Sequence, residues 1–99
     1  HKLYKSNIFL DCMPKYLVEV FVRYREGVLD PQSAAIMHGA EQLGYSLEGL
    51  VVGKLFQVEV KKRTEKSARK HVDELSGKFL SNPVMESYEI RSIEKIVEE

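Results

Sequence analysis

Ninety-nine residues, 43% hydrophobic and 30% charged, suit one folded domain and point away from both a disordered chain and a membrane-embedded one. Fifteen basic side chains balance fifteen acidic ones, so no global field gathers nucleic acid or an anionic bilayer. No apolar run approaches the ~20 residues of a membrane span, and the single cysteine, Cys12, cannot close an internal disulfide, which fits a reducing, cytoplasmic setting.

Met13-Pro14-Lys15 reads as a natural start, so residues 1–14 are expected to be an extension or a vector remnant and 15–99 a single domain. Within the extension, Ile8-Phe9-Leu10 is a short apolar run able to dock on a neighbour or add an edge strand. From Tyr16 to Arg25 the alternation is regular and predicts a strand. Tyr16, Val18, Val20, Val22 and Tyr24 share the core face; Leu17, Glu19, Phe21, Arg23 and Arg25 share the other. Gly27 then allows a sharp turn, Asp30 is placed to cap a helix, and Pro31 suits the first helical position, where a missing N–H costs nothing. Leu29 and Ala34 are spaced as a hydrophobic staple. The helix is expected to run to about Gly44, with Ile36, Ala40 and Leu43 inward.

Leu50 to Lys61 reads as a long middle strand, bent by a bulge or split into a hairpin at Gly53-Lys54. Thr64 caps a second helix reaching about Leu80, with Ala68, Val72, Leu75 and Phe79 on its apolar side. Asn82-Pro83 stops it, because the residue before proline avoids helical geometry. Val84 to Ile90 reads as a last strand with Val84, Tyr88 and Ile90 inward, and Ile93, Ile96 and Val97 as one amphipathic turn at the C-terminus.

The order β-α-β-α-β predicts an α+β domain: a three-stranded antiparallel sheet with both helices on one face. The open face is then expected to carry Leu17, Phe21, Val51 and Leu55. At ~25 cal/mol per Å2, burying such a patch against a second copy is worth several kcal/mol before association costs. A domain of this size buries only about 60–65% of its unfolded surface, so a partner surface helps it. Self-association through that face, or its coverage by the N-terminal extension, are the two readings.

No catalytic constellation emerges. His1, His38 and His71 are scattered, without Cys, Asp or Glu at metal-ligand spacing, and Gly53-Lys54 is too short for a phosphate loop. Asp73-Glu74 and Glu98-Glu99 read as solvated surface. The basic run over 61–71 (Lys61, Lys62, Arg63, Lys66, Arg69, Lys70 and His71) opposes the dipole of the helix it opens, which leaves a rival reading: a module binding RNA or a small anionic ligand. A sheet-based RNA reader wants several aromatic side chains on its open face, and Phe21 is alone there.

Four pieces fall in order and spacing across residues 15–91: Lys15-Tyr16-Leu17-Val18-Glu19-Val20, Gly27-Val28-Leu29-Asp30-Pro31-Gln32, Val52-Gly53-Lys54, and Leu80-Ser81-Asn82-Pro83-Val84-Met85-Glu86-Ser87-Tyr88. On these pieces the chain resembles PurS, the small subunit of phosphoribosylformylglycinamidine synthase where that enzyme is split into three polypeptides. The resemblance implies a non-catalytic subunit in de novo purine biosynthesis. The assembled enzyme converts formylglycinamide ribonucleotide, ATP and glutamine-derived ammonia into formylglycinamidine ribonucleotide. The small subunit would act as a homodimer or dimer of dimers, bridging a PurQ-type glutaminase and a PurL-type synthetase and helping to shelter ammonia. It implies no cofactor on this chain, ATP and Mg being used by the synthetase. The matched pieces place Asp30, Gln32, Gly53, Lys54, Asn82 and Glu86 at or near partner contacts. Capping, a bulge and a helix stop explain Asp30, Gly53 and Asn82 equally well.

Overall fold

The computed structural model describes residues 13–96. Its elements are β1 (Lys15–Tyr24), α1 (Pro31–Gln42), β2 (Gly53–Lys61), α2 (Glu65–Leu75) continued by a π turn (Ser76–Leu80), and β3 (Glu86–Ile96). β1 is the centre of a three-stranded sheet of order β2-β1-β3, antiparallel to both neighbours. The expected α+β architecture is therefore present. The apolar run at residues 8–10, Cys12 and Val97 lie outside the described residues.

Alternation in β1 sends Tyr16, Val18, Val20 and Val22 to one face, where they are buried with Ala68 and Val72 of α2. Phe56, Val58, Val60, Leu80, Tyr88, Ile90 and Ile93 pack around this core. α2 lies across all three strands, its start fixed by a capping box between Thr64 and Ser67. α1 is rooted at the end of the sheet instead and buries only Ser33. Its ends follow the sequence closely. Asp30 caps it and accepts from the Ser33 N–H at 3.2 Å, Pro31 opens it, and Gly44, at φ +96°, closes it. The Tyr45 N–H then reaches back to the Ala40 carbonyl, satisfying an orphan acceptor.

Several expectations change. β2 begins at Gly53 rather than Leu50 and pairs with β1 without a break from Lys61 to Gly53, so it holds neither bulge nor hairpin. The bulge is in β3: Glu19 faces Ser92 while Val20 faces Ile90, leaving Arg91 as the extra residue. That insertion reverses the parity of the strand, so Tyr88, Ile90 and Ile93 all face the core. Residues 93–96 thus continue β3 and form no helical turn. Val84 lies in a turn before β3 and is exposed. Phe79 is 79% exposed because the π turn adds a residue to the helical count and brings Leu80 inward in its place. Leu29, Ile36 and Leu43 are exposed, so there is no staple and no inward stripe on α1.

Candidate functional site

Four separate segments meet at the end of the sheet where β1 finishes and β2 and β3 begin. Arg25 ties two of them together. Its backbone N–H donates to the Met85 carbonyl at 2.9 Å, and its guanidinium donates twice to the Pro83 carbonyl, at 2.8 and 3.1 Å. The loop before β3 is folded by Asn82, whose side-chain oxygen accepts from the Val84 N–H and whose carbonyl accepts from the N–H groups of Met85 and Glu86. The Asn82 N–H donates to Glu86 Oε1 at 2.8 Å, which aims the carboxylate. On the opposite side, the Ser33 hydroxyl donates to Asp30 Oδ2 and accepts from the Val52 N–H at 3.1 Å. One serine thus links the start of α1 to the entrance of β2.

These ties enclose a cavity of about 280 Å3. Asp30, Gln32, Gly53, Lys54 and Glu86 line it together with Arg23. Of the six residues placed at partner contacts by the sequence, five share this wall, and Asn82 stands behind it as the support of Glu86. Sequence reasoning missed Arg25 and Ser33. The spacing Asp30-x-x-Ser33 is the capping signal that would have found the second. Alternation alone puts Arg25 on the open strand face, and nothing local in the sequence points to the Pro83 carbonyl.

Two cations, Arg23 and Lys54, face two carboxylates, Asp30 and Glu86, in this cavity. The Ser33 hydroxyl bond holds the Asp30 carboxyl below the ordinary carboxylate value, aided by the backbone N–H groups of Ser33 and Gln32 and by the charge of Arg23. Asp30 is therefore an anion at neutral pH. Lys54 makes no ion pair among the described residues and is exposed, so its charge is available to an incoming group. No serine, cysteine or histidine lines the cavity. Its groups are those of recognition: charges, an amide and backbone, without a nucleophile beside a base.

Gly53 has a specific place here. A Cβ at this position would sit 2.7 Å from Phe21 Cε1 and 2.7 Å from the Val22 carbonyl oxygen, because the Phe21 ring lies across the glycine. On the open face of the sheet, Phe21 is opposite Leu55, and the Arg91 guanidinium covers the Phe21 ring at 4.3 Å from its centroid. Glu19, between Leu17 and Phe21, accepts from Gln57 Nε2 at 2.9 Å and from the Ser92 hydroxyl at 3.3 Å. The open face therefore holds a polar cross-strand network flanked by Leu17 on one side and Phe21 with Leu55 on the other. Val51 precedes β2 and is exposed. The basic run lies at the opposite end of β2 from the cavity, and Arg91 occupies the ring face a base would stack on.

Residues 17–94 match the family described as PurS: Phosphoribosylformylglycinamidine (FGAM) synthase. A Synechocystis phosphoribosylformylglycinamidine synthase subunit PurS is 32% identical over 85 residues, spanning 83% of this chain and 85% of the relative. Its Bacillus subtilis counterpart is 31% identical over 83 residues, spanning 83% and 96%. Among solved structures, Thermus thermophilus PurS superposes with a TM-score of 0.76 at 27% identity, covering 85% of this chain and all of that one. A chain of the Thermotoga maritima PurLQS structure gives 0.73 at 29% identity, with the same coverage. On sequence and fold together, the chain belongs to the PurS family of phosphoribosylformylglycinamidine synthase.

Proposed function

We propose that this protein is the non-catalytic subunit of a phosphoribosylformylglycinamidine synthase, joining the glutaminase to the synthetase and assisting the transfer of ammonia between them. The observation that carries this reading is the convergence of the family-matching residues on one recognition cavity. Asp30 and Gln32 come from the start of α1, Gly53 and Lys54 from β2, and Glu86 from β3. Capping alone would explain Asp30, but it gives no reason for Lys54, unpaired among the described residues, and a buttressed Glu86 to face the same space. A partner loop presenting both signs of charge, or polar backbone, fits such a wall. Ammonia transfer needs a closed junction more than a reactive group, since leakage to water is the competing fate. The bridge therefore works by holding two active sites together. ATP and Mg belong to the synthetase in this scheme, the reaction is cytoplasmic, and this chain binds neither cofactor.

Self-association is part of the reading. The open sheet face, with Leu17 half-buried and Leu55 54% exposed opposite Phe21, meets the same face of a second copy. The test is reconstitution. Synthetase and glutaminase are assayed for glutamine-dependent turnover with and without this chain, and with Lys54→Glu. Turnover is expected to rise severalfold with the native chain and to lose most of that gain with Lys54→Glu. Equal turnover in all three mixtures overturns the bridging role.

A further inference from the structure

The cavity at the end of the sheet holds opposite charges that stay apart. Elsewhere on the same sheet such charges close on one another: Lys15 lies 3.7 Å from Glu59, and Arg91 3.4 Å from Glu89. Here Arg23, Lys54, Asp30 and Glu86 line one space of about 280 Å3, yet among the described residues neither cation forms an ion pair with either carboxylate. The strands explain the gap. Lys54 on β2 is opposite Val22 and Glu86 on β3 is opposite Tyr24, so both share one face of the sheet. Their strands lie two spacings apart, about 10 Å, with β1 between them.

The atoms left over sort by charge. Lys54 Nζ has no partner among the described residues, and Arg23 uses only Nε, which donates to the Tyr24 carbonyl at 3.3 Å. Its two terminal nitrogens remain as donors. Across the cavity, Glu86 Oε1 accepts from the Asn82 N–H, while Oε2 accepts no hydrogen bond among the described residues. Both Asp30 oxygens are engaged by Ser33, so Asp30 adds negative charge rather than a further acceptor. Val22 and Tyr24 lie between the two charged sides.

We propose that this cavity binds a free α-amino acid as its zwitterion. The carboxylate pairs with Lys54 and Arg23, the ammonium donates to Glu86 Oε2, and the side chain lies along Val22 and Tyr24. Charge selects the class. A simple anion faces Asp30 and Glu86 uncompensated, and a simple cation faces Lys54 and Arg23; a molecule carrying both signs satisfies both sides. Size agrees, since the volume falls just below that of sites for drug-sized molecules. Arg23 and Glu86 are half-buried, so charge-assisted hydrogen bonds to them are screened less than on an open surface. The inference rests on the reading of this cavity as a recognition site, and it adds regulation: a bound amino acid competes with a partner loop for the same wall.

Amide chemical shifts of the full chain by itself, titrated with L-alanine and with L-glutamine, test it. Saturable shifts are expected at Gly53, Lys54 and Glu86, with half-saturation in the millimolar range. Acetate and methylamine are each expected to bind at least about tenfold more weakly, because each lacks one of the two charged contacts. Lys54→Met and Glu86→Gln are each expected to weaken both amino acids by about tenfold. Lys54 is exposed, and Glu86→Gln keeps an oxygen for the Asn82 N–H, so unchanged shifts at Val18 and Val58 verify the fold. Should a variant fail to fold, the ranking of the four probes on the native chain decides. Shifts that never saturate, acetate binding as tightly as alanine, or native affinity in either folded variant overturns the inference. The titration contains no synthetase or glutaminase, so its failure leaves the reconstitution result standing, and the reverse holds as well.

Discussion

Replacing Gly53 by alanine sets two effects of opposite sign against each other. In an ordinary strand position, alanine in place of glycine stabilises by about 0.5–1 kcal/mol, because the unfolded chain loses freedom. Here the added methyl group would lie 2.7 Å from a ring carbon of Phe21 and 2.7 Å from the Val22 carbonyl oxygen. The ring can turn aside only by leaving the Arg91 guanidinium that covers it. The carbonyl cannot turn aside, since it belongs to the central strand. Overpacking of this kind costs roughly 1–3 kcal/mol, so the net expectation is a loss of about 1–2 kcal/mol. Urea unfolding at fixed protein concentration reads this as a midpoint lower by about 1 M, with an unchanged slope. In a Phe21→Ala background the penalty should shrink but persist, because the carbonyl contact remains. A Gly53→Ala protein as stable as the native one, or more stable, refutes the close approach of Phe21 and Val22 to this glycine.

Two further expectations concern pH. The Asp30 carboxyl is held below its ordinary value of 3.8, so the stability it lends α1 is complete above that value and is lost as the pH falls through the lower folded one. Asp30→Asn keeps a capping side chain, and its stability should approach that of the native protein as acid unfolding proceeds below about pH 4; a difference that is constant with pH contradicts the assignment. Tyr88 donates to Asp73 Oδ1 at 2.8 Å, and this bond raises the phenol above its ordinary 10.0. Its contribution is complete below pH 10 and disappears as the pH rises through the folded value. The stability gap between native protein and Tyr88→Phe, followed by chemical unfolding, should therefore close in alkali.

The sequence made the centre of the fold legible because one strand carries it. Tyr16, Val18, Val20 and Val22 alternate without exception, and Asp30, Pro31, Gly44 and Thr64 mark helix ends by local chemistry that tertiary packing does not override. β3 was harder. A single extra residue, Arg91, changes which side its apolar residues face, so a reading at constant period two breaks the strand where the structure continues it. The π turn did the same to Phe79, since a run of i, i+4, i+7 matches carries no sign that the next turn widens. The cavity was legible only as separate pieces. Asp30, Lys54 and Glu86 are each 24 or more positions from the next, and their meeting depends on long-range ties such as Arg25 to Pro83. The exposure of α1 was unreadable for a further reason. Ile36, Ala40 and Leu43 have the spacing of a core-facing helix, and that spacing is silent about whether the core belongs to the same chain.

In the proposed function, this protein acts by the surfaces it presents and contributes no reactive group. Its most direct test compares nitrogen sources in the reconstituted enzyme. Synthetase and glutaminase are assayed with glutamine and, separately, with an ammonium salt, each with and without this chain. The chain is expected to raise glutamine-driven turnover strongly and to leave ammonium-driven turnover nearly unchanged. Glutamine hydrolysis or ATP hydrolysis by the purified chain alone, or equal stimulation with both nitrogen sources, would contradict it.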